Sequence, residues 1–173
     1  MLLNNIMVDV ETLSTRPDAV IIQLAAVKFG FANDSVDPFC VNCTIKSSVE
    51  LGLSTTQDTI EWWKRQPREV LASVTKDAKP IHTVIEQFNT FLGNDTKNLV
   101  FWANGSNFDF PVLESTYRAL EQPVPWKYWN LRDVRTVYAV FGLDWKNYPR
   151  IGSYHNGLDD CLTQIKALKE CLS

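Results

Sequence analysis

The sequence predicts an α/β fold, a mixed five-stranded sheet flanked by helices. Three observations carry that expectation. Strand-like segments crowd the first 46 residues. The apolar period then changes to a helical one. Further strand-like runs return between the later helices, as in a layered α/β sandwich with right-handed crossovers. With 45% hydrophobic and 12% aromatic residues, the 173-residue chain can bury a sizeable core, which excludes disordered, collagen-like and low-complexity chains. The length suits one domain spanning residues 1–173, and no segment recurs at a fixed period.

Residues 5–10 (NIMVDV) read as a short buried strand. Residues 20–29 (VIIQLAAVKF) are apolar on nearly both faces, so they belong inside the sheet. Asp37-Pro38 is expected to break the chain before a third strand over 39–46, completing an antiparallel meander. Residues 55–66 look helical and Pro67 ends them. A short helix over 68–74 follows. Pro80 opens a helix over 81–92, with Val84, Ile85, Phe88, Phe91 and Leu92 on one stripe and Gly93 as the stop. Residues 99–103 read as a strand. Asn107 is expected to cap a helix reaching about Glu121, with Pro111 tolerated in its first turn. A strand or loop over 127–131 precedes a helix from about Arg132 to Phe141. The last helix is expected to begin near Tyr154 and to carry Leu158, Cys161, Leu162, Ile165, Leu168 and Leu172 on its apolar stripe.

The first six residues are too short and polar for a signal peptide, and no run approaches ~18 apolar residues. A cytoplasmic chain with no membrane segment and with reduced thiols is therefore expected. Cys40 and Cys43 lie three apart on an alternating stretch, hence on opposite faces, which argues against half a zinc site.

Chemistry concentrates in the acids. Asp9 and Glu11 are i and i+2 at the end of the first strand and share a face. Two such carboxylates are unfavourable unless solvated or holding a hard cation such as Mg²⁺. Asp109 stands near a helix start, just after an apolar strand, where α/β sheets collect ligands. His155 precedes Asp159 and Asp160. Five residues of helix turn by about 140°, so His155 and Asp160 converge only if His155 lies in the loop before the helix. Helical phase alone does not choose between Asp159 and Asp160.

In this order, Asp-x-Glu, Asp and His-x-x-x-x-Asp, the chain resembles the DEDDh 3′–5′ exonucleases of the ribonuclease H-like superfamily. The matching stretches are DVET (residues 9–12), NFD (107–109) and HNGLDD (155–160), with IIQLAAVKF between, and the resemblance covers essentially the whole chain. It is similar to ribonuclease T and to the proofreading subunit of bacterial replicative polymerase. TIEWWKRQP and LRDVRTV look nearer to a branch of phage- or prophage-type exonuclease VIII-like and bacterial exoribonuclease-like proteins. Gly157 departs from that pattern, which usually has Ala there, and no loss of chemistry is expected from it.

The resemblance implies a ribonuclease H-like fold. It implies two divalent cations, Mg²⁺ or Mn²⁺, held ~4 Å apart by Asp9, Glu11, Asp109 and Asp160. It implies His155 as general base, and the family spacing selects Asp160 over Asp159. Thr12 and Leu13 would flank the terminal nucleotide. Trp62 is the candidate for base stacking, and Asn104 for a contact from the loop near Asp109. Of the two adjacent tryptophans, Trp62 and Trp63, one must face inward, because helix neighbours differ by 100°. Lys64, Arg65 and Arg68 follow on the same segment and would suit phosphates.

The implied partners are 3′ ends of single-stranded nucleic acid, DNA or RNA, with 5′-mononucleotides as product. Net charge −3 does not oppose this, because four acids committed to metal leave sixteen facing seventeen Lys and Arg. A homodimer is compatible with the aromatic run of Trp126, Tyr128, Trp129, Trp145 and Tyr148. Two other readings differ in class. A non-catalytic binding module on the same fold has no need of His155. A ribonuclease H-type endonuclease lacks the His-x-x-x-x-Asp ending.

Overall fold

The structure is a computed structural model, and it describes residues 3–172. Met1, Leu2 and Ser173, at the two ends of the expected domain, lie outside the described residues. Five strands, β1 (Asn5–Thr12), β2 (Ile21–Phe29), β3 (Val36–Asn42), β4 (Val100–Ala103) and β5 (Leu131–Asp133), form one sheet in the order β3-β2-β1-β4-β5. The β1–β2 and β2–β3 pairs are antiparallel, and β4 runs parallel to both β1 and β5. The mixed sheet is therefore the expected one.

Helices cover both faces. Residues 6, 8 and 10 of β1 point toward α4 (Ile81–Leu92) and α5 (Ser106–Ala119), where Phe88, Phe110, Leu113 and Tyr117 are fully buried. Met7, with Ala25, Val27 and Phe29, points the other way, toward α6 (Val134–Phe141) and α7 (Gly157–Leu172). Burying this much apolar surface on two sides, at roughly 25 cal/mol per Å², fixes the layer order. Three short helices, α1 (Ile45–Glu50), α2 (Gln57–Lys64) and α3 (Arg68–Thr75), sit at the end of the sheet, where Trp63 and Val74 join Leu13, Val20 and Ile22 in a smaller cluster.

Several boundaries differ from expectation. β3 begins at Val36 and runs through Asp37-Pro38, because it is an edge strand, where a residue without an N–H is tolerated. It stops at Asn42, and residues 45–50 turn into α1. Gly105, not Asn107, starts α5. Gly105 takes φ +120°, a conformation open to glycine, and the Asp133 carboxylate accepts the free Ser106 N–H at 2.7 Å. Asp133 also caps α6, accepting from the Arg135 N–H at 2.8 Å, so that helix begins at Val134 and leaves 131–133 to β5. The last helix begins at Gly157, three residues later than expected.

All four cysteines are free, with Cys40 exposed on β3 and Cys43, just past the end of that strand, buried. Trp126 belongs to the core, whereas Tyr128 and Trp129 are exposed. Among the described residues, no helix is long and apolar enough to cross a membrane.

Candidate active site

β1 ends in a crevice of its own making. It pairs with β4 only from Asn5 to Met7, and β4 then stops. Beyond the split, the Val10 N–H donates to Asp109 Oδ1 at 3.1 Å. Asp109 thus completes the strand's hydrogen bonding from the first turn of α5 and is held beside Asp9 and Glu11. The end of a strand, where neighbouring connections diverge, is the ordinary place for a site in an α/β sheet.

Asp9 and Glu11 project toward α7, as their i, i+2 spacing requires. One carboxylate oxygen each from Asp9, Glu11 and Asp160 lie within 4.8 Å of one another. Gln23, a lone amide within an apolar strand, sets this meeting up. It stands opposite Glu11 in the register, and its Oε1 accepts from the Gly157 N–H at 2.7 Å. That bond pins the first residue of α7 onto β2. Asp160 and Gln164, an i, i+4 pair on one helix face, then reach over Asp9. Gln164 Nε2 donates to Asp9 Oδ1 at 2.9 Å. Asp159 serves differently, its Oδ2 accepting from the Ser153 N–H at 2.8 Å and bracing the preceding loop.

Burial and crowding shift these acids strongly. Desolvation pushes Glu11 up to about 9, helped by the charges of Asp9 and Asp109. Desolvation also raises Asp9 to about 6, against the Gln164 hydrogen bond and the charge of Arg150. Asp109 is raised well above the usual carboxylate range by burial first and Asp9 second. So much buried like charge calls for a cation, and the structure places one there. The Arg150 guanidinium forms an ion pair with Asp160.

His155 lies in the loop before α7, as convergence with Asp160 requires. Its backbone is left-handed (φ +60°), an uncommon conformation for a residue with a Cβ. Its ring meets Trp62 edge-on at 4.7 Å between centroids. Burial lowers its basicity below the ordinary value of 6.5, and the charge of Arg150 adds to this, so the imidazole is neutral near neutral pH.

Beside Glu11 opens a cavity of about 500 Å³, walled by Thr12, Ser14, Thr56, Thr59, Trp62 and Phe108 among others. Trp62 presents its ring there at 38% exposure, whereas Trp63 is 5% exposed and its Nε1 donates to the Thr12 carbonyl at 2.8 Å. The two tryptophans divide as expected. Two other expectations do not reach this cavity. Leu13 is buried in the cluster with Val20 and Trp63, because the bulge at Glu11/Thr12 turns the chain inward. Asn104 accepts from Arg135 Nε at 3.2 Å on the outer side of the α5 start.

Sequence reading missed Arg150, Gln164 and Gln23. Gln164 was open to detection by helical phase from Asp160, and Gln23 as the one amide within its otherwise apolar surroundings on β2. Arg150 sits in an irregular segment, where no period points to it.

Residues 4–172 match the family described as the 3′–5′ exoribonuclease Rv2179c-like domain. An exodeoxyribonuclease of Enterobacteria phage T4 is 28% identical over 198 residues, which span 95% of this chain and 87% of that protein. Two solved structures share the fold. One is the nuclease domain of 3′hExo, a DEDDh family member bound to rAMP, with a TM-score of 0.63, 15% identity, and coverage of 97% of this chain and 90% of that one. The other is the cell-death related nuclease CRN-4, with a TM-score of 0.59 and 16% identity; the match covers 97% of this chain and 63% of that one. With its ribonuclease H-like sheet and its acids gathered at the end of β1, the chain belongs to the Rv2179c-like 3′–5′ exoribonuclease domain family and is a 3′–5′ exonuclease.

Proposed function

We propose that this exonuclease removes 5′-mononucleotides from the 3′ end of single-stranded nucleic acid, using two divalent cations, Mg²⁺ or Mn²⁺, held by Asp9, Glu11, Asp109 and Asp160. The carrying observation is the convergence of the Asp9, Glu11 and Asp160 oxygens within 4.8 Å, in surroundings that disfavour bare carboxylates. An all-oxygen donor set suits these hard ions. When bound, such ions supply neutralisation of the phosphodiester charge and a water acidic enough to attack near neutral pH.

The chain's own groups do the rest. His155, uncharged near neutral pH, accepts the proton of the attacking water at a ring nitrogen. The water oxygen bonds to phosphorus as the bond to the 3′-oxygen breaks, and that oxygen takes a proton from solvent. Gln164 orients Asp9 through its amide. Trp62 offers the exposed ring on which a terminal base stacks, and such stacking is worth ~1–3 kcal/mol and tolerates any base. An unpaired terminal base can turn onto that ring without first breaking a base pair, which favours single strands. Thr12 lines the same cavity; Leu13 and Asn104 act from behind it, Leu13 by fixing the turn after β1 and Asn104 by holding Arg135.

The family description names an exoribonuclease and the phage relative is an exodeoxyribonuclease, so the test runs both sugars. Matched DNA and RNA oligomers, each blocked at the 3′ or the 5′ end, are digested with Mg²⁺ or with EDTA. Mononucleotide release from 5′-blocked strands, abolished by a 3′ block or by EDTA, is expected for at least one sugar. The Asp109→Ala protein should fall to background. Release that persists in EDTA, or near-normal rates from folded Asp109→Ala, would overturn the reading.

A further inference from the structure

The Arg150 guanidinium pairs with Asp160, one of the three clustered acids. Arg150 lies between α6 and α7, five residues before His155. Its side chain is 16% exposed and its partner Asp160 is 11% exposed, so the pair is largely removed from water. The guanidinium lies over the Tyr154 ring at 4.4 Å and near Trp145 at 5.7 Å, two aromatic faces that hold a flat cation. Its Nε is buried without a hydrogen-bond partner. A guanidinium held for structural reasons alone would spend its rigid fork of donors, yet this one leaves Nε idle while facing the acids.

Asp160 is also one corner of the acid triangle. A carboxylate oxygen that ligates a divalent ion is not free to pair with arginine. Arginine and metal therefore compete for Asp160. Without either cation, three crowded carboxylates face each other, an arrangement that strongly disfavours the folded, charged state.

We propose that Arg150 is the resident counter-cation of the metal-free site, and that a divalent ion binds at Asp160 by displacing it. The proposal rests on the metal reading above. It gives the protein a built-in competitor that steadies the acids before metal arrives and sets the metal concentration at which the site loads.

The test measures Mn²⁺ binding without nucleic acid, from the paramagnetic resonance signal of free Mn²⁺, together with melting temperatures. Arg150→Met should bind Mn²⁺ about tenfold tighter than wild type, the size expected when one charged hydrogen-bonded competitor is removed. Arg150→Lys, which keeps a cation, should stay near wild type. In EDTA the Met protein should melt lower than wild type, and saturating Mn²⁺ should close the gap. Unchanged or weaker Mn²⁺ affinity in the Met protein, or an equal melting deficit with and without Mn²⁺, would reduce Arg150 to a packing residue and overturn the proposal. If the Met protein does not fold, Arg150→Gln decides by the same criteria. Binding to neither wild type nor variant would instead remove the metal reading, and this proposal with it.

Discussion

Asp159 and Asp160 are neighbours with separate duties. One ties down a loop through the Ser153 N–H, and the other closes the acid triangle. Helical phase does not separate them, because both flank the apolar stripe equally; family spacing points to Asp160, whose oxygen is the one that lies beside those of Asp9 and Glu11. Asp9, Glu11 and Asp109 were legible because acids are conspicuous at strand ends and helix starts. Arg150 was not, because its role depends on the path of an irregular segment. His155 combines a left-handed backbone with a neutral ring. Asparagine tolerates that backbone, so His155→Asn should keep the melting temperature within a few degrees while kcat drops ~10²–10⁴-fold, the span typical of a lost general base. The wild-type rate should fall on the acid side, below the ordinary histidine value of 6.5, as the ring protonates. A rate–pH profile of wild type and variant checks both. An unchanged profile in His155→Asn would assign the acid limb to another group.

At the scale of elements, α7 and β1 build the site together, and Gly157 lets the start of α7 pack closely on β2 beside it. A Cβ on that residue would lie 2.9 Å from Ala25 Cβ and 3.6 Å from Asp9 Oδ2. The glycine, expected to be a neutral departure from the family pattern, is thus a close-packing point between helix and sheet. Gly157→Ala should cost about 1–3 kcal/mol, as overpacking does, and should weaken the Gln23–Gly157 bond that sets the helix. Denaturant unfolding measures the first effect and the metal dependence of activity the second; a fully stable, fully active Ala protein would show that the layers give way easily. Element types were readable along almost the whole chain, since periodicity reports burial directly. Boundaries were less so. Asp133 caps α6 from two residues away, but it also accepts the Ser106 N–H at the start of α5, a contact across 27 residues that no local pattern contains. Pro38 was read as a breaker because its place on the sheet edge follows from strand order, not from its neighbours.

For the whole molecule, the acid cluster links folding to protons. Glu11 rises from 4.5 to about 9 and Asp9 from 3.8 to about 6 on folding. The folded chain therefore holds these protons to higher pH than the unfolded chain. Their contribution to stability is fully present below about pH 4 and is lost as pH rises through about 6 and then about 9. His155, whose basicity burial lowers below the ordinary 6.5, works in the opposite sense, its contribution being lost as pH falls below 6.5. In EDTA the melting temperature should decline between pH 6 and 9, and saturating Mg²⁺ or Mn²⁺ should flatten that decline, because the ions replace the protons. A metal-free protein that grows more stable over that range would contradict the coupling. The most direct measurement is anomalous diffraction from crystals soaked in Mn²⁺ with a 5′-mononucleotide. Two peaks ~4 Å apart among Asp9, Glu11, Asp109 and Asp160, with Arg150 withdrawn from Asp160, are expected. An active protein whose crystals show no manganese there, and Arg150 still paired with Asp160, would contradict it.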